Sequence, residues 1–241
     1  MKTEISINNL SKSYGKKQAL KNVTLHIETG MFGLLGRNGA GKTTLMRILA
    51  TILSKGNGDV SICGFDINKS KEIRKLIGYL PQDFSMYPNM TVYDAMDYLG
   101  LLSEVGGKER REKIPALLKK VNLHDCHKVK VKALSGGMKR RLGIAQTLLH
   151  DPKIIIVDEP TAGLDPEERV RFRELLCEIA DKRIVILSTH IVEDIEKTCE
   201  KIAVLKNGEV IFNGLLSAFI GVEDNLENAY IKHMGGADNV H

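Results

Sequence analysis

Residues 36–44 read Gly36-Arg37-Asn38-Gly39-Ala40-Gly41-Lys42-Thr43-Thr44 and match the phosphate-loop pattern G-x-x-x-x-G-K-[ST] in full. An apolar run (Met31, Phe32, Leu34, Leu35) precedes the loop, and apolar residues at helical spacing (Leu45, Ile48, Leu49, Ile52) follow it. Strand, glycine-rich loop and helix in that order make backbone N–H groups and a helix N-terminus converge on a phosphate chain. Glycines let the backbone curl around oxygens, Lys42 adds a point charge, and the Thr43 hydroxyl is suited to sit on Mg²⁺. The first expectation is therefore an α/β fold that binds a nucleoside triphosphate.

A chain of 241 residues has room for one substantial domain with a subdomain inserted in it, and it buries an ample core without staples. Its four cysteines (Cys63, Cys126, Cys177, Cys199) form no C-x-x-C pair, which suits buried thiols in a reducing compartment. His124, Cys126 and His127 lie close together, but no second ligand pair follows at finger-like spacing, so a surface loop is expected there rather than zinc. The opening MKTEISINNL lacks the apolar stretch of a signal peptide. Nowhere do about 18 consecutive apolar residues occur, so any membrane contact is expected through a partner. The net charge is +5 with basic and acidic residues interspersed, which reads as a solvated mixed surface with no nucleic-acid partner.

Residues 3–30 alternate apolar and polar around turn signals, as short antiparallel strands do, and 58–67 look like another hairpin. From Thr91 the pattern turns helical, with Asp94 completing a capping-box spacing and Tyr93, Met96, Leu99 and Leu102 following. A charged helix is expected over about 108–121, limited by Pro115. Next come a helix (138–149), a buried strand (Ile154 to Val157), a helix (166–180) and a second buried strand (Ile184 to Leu187). Unbroken β-branched runs alternating with helices indicate a parallel sheet covered on both faces. Ala203-Val204-Leu205, an Asn207-Gly208 turn of type I′ and Val210-Ile211-Phe212 follow. The expected organisation is a single domain over 1–241, a helical subdomain inserted at about 84–137 and a C-terminal tail at about 215–241, frayed from about Gly235.

Asp158 and Glu159 end the first buried strand, on the same crevice as the phosphate loop. Asp158 is suited to hold Mg²⁺, and Glu159 to polarise an attacking water, although two acids after a strand also serve as helix caps. Gln82 follows a strand-like run, and its amide oxygen offers a metal ligand at the junction with the helical block. Leu134-Ser135-Gly136-Gly137-Met138 opens a helix with Lys139, Arg140 and Arg141 in its first turn. Three cations there oppose the helix dipole, and an anion docked on Ser135 and the glycine N–H groups offsets the cost; a plain Ser cap with a solvated basic face is the alternative. His190, after Ser188-Thr189, is placed to donate to a γ-phosphate or to fill a capping role. Asp165-Pro166-Glu167-Glu168 reads as an N-cap, Pro at N1 and acids in the first turn.

With "GRNGAGKTT", "GYLPQ", "LSGGM", "IIIVDEP", "AGLD" and "STH" in this order over about residues 3–215, the chain resembles the ATP-binding subunits of ABC (ATP-binding cassette) transporters. The resemblance implies a P-loop NTPase core with an antiparallel β subdomain and a helical insertion, and an ATPase using ATP and Mg²⁺. It implies that Tyr14 stacks on adenine, that residues Gly36 to Thr44 hold the phosphates, that Gln82 is the Q-loop residue, and that Thr43, Gln82 and Asp158 face the metal. Lys42, Gln82, Glu159 and His190 would be catalytic, with Asp165 in the D-loop and Ser135, Gly136, Gly137 and Met138 in the signature. Met138 departs from the commonest LSGGQ.

The family arrangement further implies two copies packed head to tail around ATP, with a transmembrane permease subunit as second partner. Phe84 to Met90 would dock on that subunit, at the cytoplasmic face of the plasma (inner) membrane. The stretches "GGMKRRL" and "AGLDPEERVRF" look more export-like than import-like. A soluble ABC ATPase acting outside transport generally needs long coiled coils or two cassettes per chain. An ATP-gated module without turnover sits badly with an intact Glu159 and His190.

Overall fold

In the computed structural model, which describes residues 2–235, β1 (Glu4–Tyr14) and β2 (Lys17–Glu28) form an antiparallel hairpin closed at Gly15, where φ is 56°. Its register sets Ile5 against Ile27, Ile7 against Leu25 and Leu10 against Val23, so one face of the pair is apolar. Gly30–Leu35 follows as β3, then α1 (Lys42–Leu49), β4 (Asn57–Ile62) and the two-residue β5 (Phe65–Asp66). Strands β2-β1-β4-β5 make one antiparallel sheet.

Helix α2 (Ser70–Arg74) and β6 (Ile77–Leu80) lead into the helical block, α3 (Val92–Leu102), α4 (Gly107–Lys120), two short 3-10 turns and α5 (Gly136–Thr147). The chain returns through β7 (Ile154–Asp158), α6 (Pro166–Ala180), β8 (Ile184–Thr189) and α7 (Val192–Thr198) to β9 (Lys201–Lys206) and β10 (Glu209–Leu215). The second sheet runs β10-β9-β3-β8-β7-β6, parallel except for the β9–β10 hairpin. At that hairpin Asn207 and Gly208 have φ of 51° and 85°, the left-handed pair a type I′ turn requires.

Burial explains the unbroken apolar strands. Ile155 and Val157 of β7 enter the core beneath the helices, while Ile154 and Ile156 enter a second core shared with α1 and the antiparallel sheet. Val185 and Leu187 of β8 join the first core, Ile184 and Ile186 the second. Each such side chain contributes about 1.5–3 kcal/mol, so a polar residue on either face is costly.

Four expectations need correction. Pro115 does not limit its helix: α4 continues to Lys120, because Ile114 and Leu118 are buried on either side of the proline and outweigh one missing backbone bond. Ile52 does not extend the apolar stripe of α1; it is 63% exposed, because the helix ends in a Schellman turn with Thr51 at φ 57° and Ile52 N donating to Arg47 O at 2.9 Å. Helix α5 starts at Gly136, two residues early, because Ser135 caps it. Of the thiols, Cys63 and Cys199 are buried, Cys199 with its pKa pushed up to about 12 by burial, but Cys177 is exposed.

His124–Cys126 forms one of the 3-10 turns. Thr91 caps α3, accepting from Asp94 N at 3.1 Å and donating to the Asp94 carboxylate at 2.7 Å. Over 215–235 the chain forms α8 (Leu216–Ile220) and α9 (Leu226–His233), which bury Phe219, Leu226 and Ala229; the rest of the end expected to fray lies outside the described residues. Among the described residues no helix is long and apolar enough to cross a membrane.

Candidate nucleotide site

The phosphate loop leaves β3 at the carboxyl edge of the parallel sheet and enters α1, whose first turn carries no acid. Close approach dictates its glycines. A Cβ on Gly36 would stand 2.6 Å from Leu205 O, and one on Gly41, at φ 110°, 2.6 Å from Ala19 O. Ala40 is buried and held from behind by Gly208 N at 3.0 Å, while Arg37, Asn38 and Gly39 are exposed along the rim. The half-buried Thr43 and Thr44 lie in the first turn of α1, so its positive dipole end opens onto the loop.

Lys42 is buried, and its ammonium donates to Gly36 O at 2.7 Å. It also lies 3.2 Å from Glu159 Oε1, close enough for an ion pair but off the line of a hydrogen bond, so that this oxygen has no hydrogen-bond partner among the described residues. The other oxygen, Glu159 Oε2, meets His190 Nδ1 at 2.7 Å. Strand order brings these groups together: β3, β8 and β7 are neighbours, and Leu35 pairs with Thr189 as Asp158 pairs with Ser188.

Glu159 takes φ 49°, a left-handed backbone that costs a non-glycine residue about 1–3 kcal/mol and marks a constrained site. Asp158 is fully buried. Its Oδ1 accepts from Ser188 Oγ at 2.8 Å, whereas its Oδ2 finds no hydrogen-bond partner among the described residues. Burial raises its pKa, and the hydroxyls of Ser188 and Thr43 partly oppose the rise. A buried carboxylate oxygen left bare, beside a threonine hydroxyl at a phosphate loop, is a donor set that fits a hard divalent cation.

Other residues singled out in the sequence stand apart from this cluster. Ser135 caps α5, its Oγ accepting from Met138 N at 3.2 Å; Gly136 is exposed, and a Cβ there would meet nothing within 4 Å. Gly137 is buried against the Glu168 carboxylate, and Met138 packs on the helical core. Asp165 caps α6 by accepting from Glu168 N at 2.9 Å. Gln82 is exposed past β6, and Tyr14 is 48% exposed with Lys12 Nζ 5.9 Å from its ring.

The three cations of α5 do not await a common anion. Arg141 is buried in an ion pair with Glu168, and Arg140 donates to Pro81 O at 3.3 Å; only Lys139 lacks a partner among the described residues. The sequence shows the charges but not the carboxylate 27 positions away that neutralises one of them. Ser188, which orients Asp158, was visible only as part of "STH", and nothing local singled it out.

The family model described as ABC transporter matches residues 20–162. The chain belongs to this family, as an ATP-binding and ATP-hydrolysing subunit that powers transport through a partner. It is 41% identical over 213 residues to the uncharacterized ABC transporter ATP-binding protein YxlF of Bacillus subtilis (strain 168), covering 88% of this chain and 71% of that one. Identity to the Nod factor export ATP-binding protein I of Paraburkholderia xenovorans (strain LB400) is 37% over 225 residues, 91% of this chain and 73% of the relative. Among solved structures, the dimeric post-hydrolysis state of the ATP-binding cassette MJ0796 bound to ADP and Pi superposes with a TM-score of 0.79 at 29% identity, covering 88% of this chain and 98% of that one.

Proposed function

We propose that the cluster at the edge of β3, β7 and β8 hydrolyses ATP between two copies of this chain packed head to tail. The observation that carries the reading is the buried Glu159, held by His190 on one oxygen and beside Lys42 on the other. Residues 36–44 wrap the phosphates, Lys42 leaves the loop carbonyls for the β- and γ-phosphates, and Tyr14 stacks on the adenine. Glu159 takes the proton of the attacking water, and His190 orients that water and the γ-phosphate. Asp158 and Thr43, with Gln82, would hold Mg²⁺, which neutralises phosphate charge when bound. The helix start at Ser135, Gly136 and Gly137 covers the γ-phosphate of the other copy, with Met138 and Asp165 at the contact. Glu159→Gln tests the base: turnover should fall by about 10²–10⁴-fold, and turnover at the unmodified rate contradicts it.

The membrane-embedded partner is assigned to a groove of about 500 Å³ lined by Phe84, Met86, Pro88, Val131, Lys132 and Leu142. Tyr87 projects beside it, 45% exposed and edge-on to Tyr98 at 5.1 Å. Aromatic and methionine side chains adapt well to a partner surface. On this reading the subunit works at the cytoplasmic face of the plasma (inner) membrane, touching it only through the partner. Export is the favoured direction, supported by the relative named for Nod factor export.

A further inference from the structure

Behind the Glu159–His190 pair lies a second buried polar group that the proposed chemistry does not use. Asp194 is fully buried in the first turn of α7, four positions after His190. One of its carboxylate oxygens accepts from the Thr161 hydroxyl; Thr161 is 1% exposed and lies two positions after Glu159. The other accepts from Arg173 Nη1 of α6 at 3.4 Å, and the same guanidinium nitrogen donates to Glu193 at 3.0 Å. The Asp194 carbonyl accepts from the Thr198 hydroxyl at 2.6 Å, so the helix that carries the carboxylate is itself tied down.

We propose that Asp194 is a positioning residue for hydrolysis: through Thr161 it fixes the loop behind Glu159 to the helix behind His190, and through Arg173 it fixes both to α6. Three features of the structure support this role. Glu159 has a left-handed backbone, and such a conformation persists only where the surroundings over-determine it. The backbone bonds around the loop are few: Glu159 N donates outward to Ser188 O at 2.8 Å, and within the loop Ala162 N lies 3.4 Å from Glu159 O and Leu164 N 3.1 Å from Thr161 O. The Thr161–Asp194 bond joins two segments 33 positions apart, one beside each member of the Glu159–His190 pair.

Stability alone does not account for the network. Burial raises the pKa of Asp194 against the opposing pull of Thr161 and Arg173, and an apolar group of similar volume fills such a space as well or better. What the charged network adds is a single fixed geometry. A misplacement of about 1 Å behind a reacting group costs up to about 10²-fold in rate.

The inference rests on Glu159 as the base, and the experiment separates the two ideas. ATP turnover and ATP affinity are measured on the full chain carrying Thr161→Val, Thr161→Ser, Asp194→Asn or Glu159→Gln. Thr161→Val removes only the hydroxyl; Asp194 loses the donor to one oxygen but keeps Arg173 on the other, so the variant should still fold. Its kcat should fall on the order of 10–100-fold with the KM for ATP little changed and the melting temperature lowered by only a few degrees, while Thr161→Ser restores turnover. Asp194→Asn, which weakens the link to Arg173, should also lower kcat, and combining it with Thr161→Val should cost less than the product of the two losses. Thr161→Val at the unmodified kcat, or losing turnover only in step with ATP binding or melting temperature, overturns the positioning role. If Glu159→Gln itself retains turnover, it is the base assignment that fails.

Discussion

Gly136 and Gly137 stand side by side at the head of α5 and answer to different constraints. A methyl group on Gly137 would come within 2.5 Å of Glu168 Oε2, the carboxylate that neutralises Arg141, whereas one on Gly136 meets open space. Gly137→Ala should therefore destabilise the fold by about 1–3 kcal/mol in urea unfolding. Gly136→Ala should leave the unfolding midpoint in place yet lower ATP turnover, because that backbone is assigned to the other copy's phosphate. Equal loss of stability in both variants would contradict this division. Lys42→Ala should weaken ATP binding and turnover together in a nucleotide-titration assay; unchanged affinity would argue against phosphate contact. Lys42, Asp158, Glu159 and His190 were legible as candidates because each ends or begins an element beside a diagnostic neighbour. Thr161, Asp194 and Ser188 were not, since their partners are set by strand order rather than by local spacing.

Helix α4 shows what an element gains from its neighbours. Pro115 leaves one backbone carbonyl without its usual partner, yet Ile114 and Leu118 pin the helix to the core on both sides. Pro115→Ala should raise the thermal midpoint, by a margin of up to about 3 kcal/mol, and a lower midpoint would mean that the proline shapes the turn. The long, strongly periodic elements were legible: the strand at 154–158, the helix at 166–180 and the β9–β10 hairpin follow from runs of apolar residues between turn and cap signals. The short α2, α7 and α8 were not, having too few residues to show a period. The end of α1 carries no local signal because Thr51, not glycine, takes the left-handed position, and its side chain accepts from Arg74 Nε at 2.9 Å.

At the scale of the whole molecule, two surfaces carry the account. Around the groove beside Tyr87, Phe84 is half-buried and its ring edge lies close to Gly143, so a charge there would disturb packing as well as docking. Tyr87→Glu is the cleaner probe, since that side chain is 45% exposed. It should abolish copurification with the membrane-embedded subunit while ATP binding by the chain stays intact; undiminished copurification would remove the groove from consideration. The second, proposed surface would join two nucleotide loops to two serine-headed helices, an expectation that comes from the order of the motifs along the chain.

Sedimentation of the Glu159→Gln chain with and without saturating MgATP tests that assembly most directly. A monomer is expected without nucleotide and a stable two-chain species with it, dispersed again when Ser135→Arg is added. A monomer under both conditions would contradict it.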